Sequence, residues 1–248
     1  LGLVGESGCG KSTMGTAIIQ LPSPTSGSVK FAGQELTDMS HAEMRPIRKR
    51  LQIIFQDPIS SLNPRRRVRN IVAEPLAISG VRKKDEIDYK VREALNTVGM
   101  DPDITMDRRP HQFSGGQCQR ICIARALILE PDLIVCDEPV SSLDVSVQAQ
   151  ILNLLEDMKE RYGLTLLFVS HDLAVVKNIS DRVAVMYLGR ICEIAKPEDI
   201  YSEPAHPYTA GLMSTIPEIG DKRGSRIPAL KGEIPSPLSP PSGCKFRS

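Results

Sequence analysis

The residues with the clearest chemistry are Gly5 to Thr13, GESGCGKST, in which two glycines, a lysine and a hydroxyl fall at the spacing G-x-x-x-x-G-K-S. Only residues without a Cβ let successive backbone N–H groups close around phosphate oxygens, and a helix starting behind the loop aims its positive end at them. Lys11 would reach the outer phosphates as a point charge, and the Ser12 hydroxyl would ligate Mg²⁺. Gly5, Glu6, Ser7, Gly8, Cys9, Gly10, Lys11, Ser12 and Thr13 are thus the expected nucleotide-binding residues; a plain glycine turn before a helix is the alternative.

Further candidates stand at the ends of apolar runs. Gln56 follows LQIIF, where open α/β sheets place their ligand chemistry. Its amide can orient a water, complete a Mg²⁺ shell, or be a polar strand end and nothing more. Asp137 and Glu138 follow LIVC. A carboxylate at a strand end beside a phosphate loop suits magnesium, and an adjacent second carboxylate is what a water-activating base needs. His171 follows LTLLFV, a third such strand, which favours a γ-phosphate contact over a structural role. Ser114, Gly115, Gly116 and Gln117 lie in QFSGGQCQ and open a helix, giving a second anion-binding end for the same dipole and N–H reasons. A helical insertion separates this end from the first, so it is expected to serve a partner chain's nucleotide.

The elements that must position these groups follow from periodicity. Short apolar runs at 51–55, 133–136 and 164–169 predict buried strands, too short for helices. Residues 11–20 predict a helix ended by Pro22 and Pro24, and 29–33 a short strand. Residues 41–50 are polar and at best helical. Ile71, Leu76 and Ile78, then Ile87, Val91, Leu95 and Val98, predict a helical pair broken at Gly80, entered through the exposed link 57–69. Residues 100–110 predict a turn, and 121–128 a helix with Ile121, Ala124, Leu127 and Ile128 on its apolar face. Val147, Ile151, Leu154 and Met158 mark a long helix stopped by Gly163. A strand pair surrounds Gly189, residues 197–216 are mostly helical, and 217–248 are Pro-, Gly- and Ser-rich and expected to be extended.

Composition bounds the class. With 248 residues, 41% hydrophobic and 25% charged, the chain suits one substantial domain and a smaller one. Its 31 basic and 30 acidic residues lack the basic excess of a dedicated nucleic-acid binder. Basic clusters at 45–50 and 65–69 are either solvated faces or a charged docking surface. Six cysteines without a C-x-x-C pair suggest reduced thiols used as small hydrophobes, and Cys118 with Cys122 lacks partners for a metal site. Cys9, in the phosphate loop, is expected to favour its thiolate. No run approaches the roughly 18 apolar residues of a membrane span. Leu1 opens the sequence in the strand feeding the loop, so earlier strands of the sheet are expected to be missing from a fragment.

Gly5 to Thr13, Gln56, Ser114 to Gln117, Asp137 with Glu138, Asp144 and His171, in this order, make the chain resemble the ATP-binding subunit of an ABC transporter over nearly its whole length. SGGQ is the most diagnostic piece. FQDPISSLNPR at 55–65, QFSGGQ with Phe113, and AHPYTAGLMSTIP at 205–217 followed by IPSPLSPPSGC make the peptide-importer ATPases the most similar type. The resemblance implies an α/β phosphate-loop NTPase core at 1–56 and 132–200, a helical subdomain at 57–131 and a C-terminal extension at 201–248. It implies ATP and Mg²⁺ as ligands. Lys11 and the amides of Ser7 to Thr13 would hold phosphates; Ser12, Gln56 and Asp137 would organise Mg²⁺. Glu138 would activate water, His171 would contact the γ-phosphate, and Ser114 to Gln117 would close the site in trans.

The partners it implies are a second copy or a paralogous ATPase, two permease subunits engaged through 57–70, and indirectly an extracytoplasmic solute-binding protein, with no nucleic acid. The location it implies is peripheral, on the cytoplasmic face of the membrane. ATPases of nickel or glutathione importers share these motifs and stand as alternatives. A non-transport ABC ATPase fits less well, because only 57 residues separate Gln56 from Ser114, with neither heptads nor C-x-x-C pairs. Two departures are the missing adenine-stacking aromatic, which in the family precedes the phosphate loop, and a tail that stops four residues after Cys244.

Overall fold

Apolar runs bounded by turn residues become strands and the longer periodic runs become helices, in a computed structural model that describes residues 1–216, 235 and 241–246. In chain order the elements begin with β1 (Gly2–Val4), α1 (Lys11–Ile18), β2 (Lys30–Phe31), β3 (Gln34–Glu35), α2 (His41–Arg50) and β4 (Leu51–Ile54). Then come α3 (Val68–Ile78), α4 (Lys84–Thr97), α5 (Pro102–Thr105), α6 (Gly115–Leu127), β5 (Leu133–Asp137) and α7 (Val145–Tyr162). The chain continues with β6 (Thr165–Val169), α8 (Leu173–Ile179), β7 (Val183–Tyr187), β8 (Arg190–Ala195), α9 (Pro197–Ser202) and α10 (Pro207–Met213). Among the described residues no helix is long and apolar enough to cross a membrane.

The chain divides into two units, Leu1–Gly15 with Phe168–Ser248, and Thr16–Leu167. In the first, β1 lies parallel to the end of β6, with Leu3 beside Val169, and parallel to β7, with Leu3 beside Ala184. Antiparallel β8 completes this edge. β1 and β7 are buried along their whole length, as parallel strands covered on both faces must be. Gly2 admits the packing of α8: a Cβ there would lie 2.3 Å from Val176 Cγ1.

In the second unit β4 runs parallel to β5 in the register Leu51 to Leu133 through Ile54 to Cys136. Helices α3, α4 and α6 pack into one cluster around Ile71, Leu95, Ile121 and Ile123, none more than 1% exposed. α6 is buried on nearly every side, Cys118, Gln119, Cys122 and Ile123 included, so the single apolar face expected for it is too narrow. α7 ends at Gly163 with φ 61°, the left-handed cap predicted for it.

Several local expectations change. Residues 29–33 yield only the two-residue β2, which returns through a turn at Gly33 into β3. The polar stretch 41–50 is a full helix because a capping box nucleates it: the Ser40 N–H donates to Glu43 Oε2 at 2.8 Å and Glu43 N–H to Ser40 Oγ at 3.4 Å. The turn expected at 100–110 holds α5, started by Pro102 and capped by Asp101. The basic cluster 65–69 is paired within its own unit: Arg66 with Glu74, Arg67 with Asp107 at 3.0 Å, and Arg69 with Asp88 at 3.7 Å. These pairs are half exposed and worth at most about 1 kcal/mol each. The extended character expected of 217–248 falls mostly outside the described residues. Truncating Ile121, 0% exposed, to Ala should cost about 2–5 kcal/mol in urea unfolding; a loss below about 1 kcal/mol would contradict the packing described for α6.

Candidate functional site

The first unit builds the phosphate loop. β1 ends at Val4 and the chain turns at Gly5, whose φ of 153° and surroundings both demand glycine: a Cβ would lie 2.2 Å from the Met186 carbonyl oxygen. Gly8 and Gly10 follow with φ 80° and 103°. Lys11, only 5% exposed, donates from Nζ to the carbonyls of Gly5 at 2.9 Å and Glu6 at 3.0 Å. Ser7, Gly8, Ser12 and Thr13 face solvent around it. The loop is tied to the β7–β8 turn by the Gly189 N–H, which donates to the Cys9 carbonyl at 2.9 Å.

Charge in the loop does not follow the expectation for Cys9. Its side chain is buried beside Gly5, and that desolvation pushes the thiol above its ordinary range, ahead of the opposing pull of Lys11. Cys9 is therefore predominantly a protonated thiol near neutral pH. Burial likewise raises Glu6, with Lys11 acting against it.

His171 belongs to the same unit. It lies two residues beyond Val169, as Gly5 lies two beyond Leu3, so the β1–β6 register brings both to the same edge of the sheet. Asp172 fixes the next helix by accepting the N–H groups of Ala174 at 2.9 Å and Val175 at 3.2 Å.

The second unit brings Gln56 and Glu138 together. Two steps past the last paired residues, Ile54 and Cys136, the Gln56 amide donates to Glu138 Oε2 at 2.9 Å. Asp137 ends β5 with 8% exposure. Glu138 has φ 46°, a left-handed conformation that a side chain adopts at a cost of about 1 kcal/mol. That strain is held by the turn it opens: Glu138's carbonyl accepts from the Ser141 Oγ at 3.1 Å, and Gln148 Nε2 donates to the carbonyls of Val140 and Leu143, both at 3.0 Å. Nothing in the spacing of Gln148 announces this role.

At the start of α6, Ser114 and Gln117 cap each other, Ser114 N–H to Gln117 Oε1 at 3.0 Å and Gln117 N–H to Ser114 Oγ at 3.4 Å. Gly116 answers a packing demand: a Cβ there would lie 2.4 Å from Val147 Cγ1 of α7. Cys118 and Cys122 turn their thiols to the carbonyls of Pro110 and Pro58, and burial pushes Cys118 up to about 11. Ser61 Oγ lies 3.2 Å from Cys122 Sγ, and Arg125 donates to the Ser61 carbonyl at 2.7 Å, so the link after Gln56 is fastened to α6. A cavity of about 530 Å³ beside Lys90, Ala94, Tyr162 and Leu164 is lined by none of the candidate nucleotide, metal or catalytic residues.

One contributor lies in the tail stretch 205–217 that marked the resemblance, with no site role expected for it. Tyr208, on α10, is fully buried and its hydroxyl accepts the Glu6 N–H at 3.1 Å.

Comparison with known proteins gives the family to which this fold belongs. Residues 1–141 match the family model for ABC transporters, and 192–248 match that for the oligopeptide/dipeptide transporter C-terminal region. A peptide import ATP-binding protein of Brucella ovis is 54% identical over all of this chain and 78% of its own length. The oligopeptide transport ATP-binding protein OppF of Escherichia coli is 53% identical, over all of this chain and 75% of its own. Among solved structures, cbiO1 from Clostridium perfringens, part of the ABC transporter complex cbiONQ, superposes with TM-score 0.73 at 31% identity, covering 82% of this chain and 78% of that one. The cassette MJ0796, a post-hydrolysis dimer bound to ADP and Pi, gives TM-score 0.71 at 31% identity, over 79% and 84%. The chain belongs to the ABC transporter family and is one of its nucleotide-binding ATPases.

If Gly116 is set by α7, Gly116→Ala should destabilise the protein by about 1–3 kcal/mol. Adding Val147→Ala should recover most of that loss in the same thermal or urea melt, whereas strictly additive losses would show that the contact is not the cause.

Proposed function

We propose that this ATPase energises the uptake of dipeptides or oligopeptides by an ABC importer. The observation that carries this reading is the double match, an ABC transporter model over 1–141 and a peptide-transporter C-terminal model over 192–248, on a chain more than half identical to peptide-import ATP-binding proteins. By the same reading, 1–56 and 132–200 act as the ATPase core, 57–131 as the helical subdomain and 201–248 as the importer-type extension.

Phosphates of ATP would lie against the amides of Ser7 to Thr13, and Lys11 would exchange its two carbonyl bonds for phosphate oxygens. Ser12, Gln56 and Asp137 offer hydroxyl, amide and carboxylate oxygens, the hard donor set that Mg²⁺ takes. When bound, Mg²⁺ would neutralise charge developing on the phosphates. Glu138 acts as general base toward the attacking water, with its Oε2 held by Gln56, and His171 contacts the γ-phosphate. Since Gln56 opens the link that would meet a permease, movement there would reorient the base.

Ser114 to Gln117 would close over the nucleotide of a second subunit, identical or paralogous. ATP then acts as a ligand that favours the closed pair and biases two permease subunits, fed by an extracytoplasmic solute-binding protein. The chain would sit peripherally on the cytoplasmic face.

General-base catalysis is worth roughly 10²- to 10⁴-fold. Glu138→Gln should therefore bind ATP like the parent chain, lose hydrolysis by about that factor and accumulate as a dimer on gel filtration with ATP. As the sole copy in cells it should reduce labelled-peptide uptake to background. Normal turnover or normal uptake would remove Glu138 from this role.

A further inference from the structure

The mechanism above makes no use of the C-terminal segment, yet that segment is joined by hydrogen bond to the loop that holds phosphates. Tyr208 lies one residue into α10 and is 0% exposed. Its ring packs on Tyr187 at the end of β7, with centroids 4.5 Å apart, and on Phe246 at 5.8 Å. Its hydroxyl accepts the Glu6 N–H at 3.1 Å, across 202 residues of sequence.

The placement of that hydroxyl is itself fixed. Glu193 of β8 accepts the N–H groups of Ala205 at 2.8 Å and His206 at 3.0 Å, and His206 Nδ1 accepts the Tyr208 N–H at 3.1 Å. The start of α10 is therefore pinned to the strand that follows the β7–β8 turn. A separate contact fastens α9 to the start of α8: the Tyr201 hydroxyl donates to the Leu173 carbonyl, two residues after His171.

Glu6 is thus gripped on both sides. Tyr208 holds its N–H while Lys11 holds its carbonyl at 3.0 Å. When Lys11 turns to a phosphate, the Glu6 carbonyl keeps the longer bond from the Cys9 N–H at 3.3 Å, and of the two side chains only Tyr208 still holds the first amide after Gly5. A loop so preorganised binds phosphate without first ordering itself.

We propose that Tyr208 is a positioning residue of the ATPase, acting through the Glu6 amide to keep the phosphate loop in its binding shape. The C-terminal segment is then part of the nucleotide site's support through this one hydroxyl, and loss of the Tyr208–Glu6 hydrogen bond changes ATP affinity. This inference rests on Gly5 to Thr13 being the nucleotide site.

The test uses the full chain with Tyr208→Phe, which keeps the ring and removes the hydroxyl, beside Phe246→Leu, which loosens the same ring cluster without touching that bond. Tyr208→Phe should raise the Kd for ATP in the presence of magnesium and the KM for hydrolysis about tenfold, corresponding to about 1.4 kcal/mol. Its kcat at saturating ATP should stay within about twofold. Phe246→Leu should lower Tm with Kd unchanged. Hydrogen exchange of the parent chain gives a readout that needs no variant: the Glu6 amide should exchange far more slowly than the exposed Ser7 amide.

An unchanged Kd in Tyr208→Phe, an equal Kd shift in Phe246→Leu, or Glu6 exchange as fast as Ser7 would each overturn the inference while leaving the nucleotide site in place. A parent chain that binds no ATP would instead remove the site itself, and the inference with it.

Discussion

The tightest constraint in the first unit is the approach of Gly5 to the Met186 carbonyl, where the space for even one methyl group is absent. It forces the chain leaving β1 to turn sharply, and that turn starts the glycine-rich loop whose Ser7 and Gly8 face solvent. Several of the loop's polar groups are then satisfied inward: the Lys11 ammonium by the carbonyls of Gly5 and Glu6, the Cys9 carbonyl by the Gly189 N–H, and the Glu6 N–H by the Tyr208 hydroxyl. Burial needed to hold this shape also explains why Cys9 titrates upward despite its position at a helix start and beside Lys11. Desolvation outweighs both sources of positive charge.

A comparable rule governs the second unit, where parallel register decides which groups can meet. Because Ile54 pairs with Cys136, Gln56 and Glu138 emerge side by side, and a single hydrogen bond joins them. The left-handed backbone of Glu138 is a local cost that the surrounding turn sustains through Ser141 and Gln148. Strain of this kind concentrates where a side chain must be aimed. The link beyond Gln56 is fastened to α6 by Ser61, Cys122 and Arg125, so the amide, the link and the Ser114 helix tip share one packed body.

Much of this was legible in the sequence because largely buried strands announce themselves as short, mainly apolar runs. LQIIF, LIVC and LTLLFV each delivered a polar residue at the end where ligand chemistry gathers. What escaped notice depended on other kinds of physics. Helix α2 is fixed by a capping box rather than an apolar stripe, and α5 by Asp101 and Pro102 within four residues. Helix α6 is buried all round, so periodicity understates it. Gly116 looked like an anion-binding glycine alone, although its closest neighbour is Val147. Tyr208 could not be found by spacing, since its contact with Glu6 arises only when β7, β8 and α10 have been stacked against the loop.

The proposed function has the loop of one subunit and the Ser114 helix tip of another form one site. Mixing two inactive full-length variants tests this most directly: Lys11→Ala, which keeps an intact helix tip, and Ser114→Glu, which keeps an intact loop. A composite site predicts that the mixture regains ATP hydrolysis, because the mixed pair contains one site with both parts sound. If each chain instead works alone, the mixture stays as inactive as its components, and the account of a shared site is wrong.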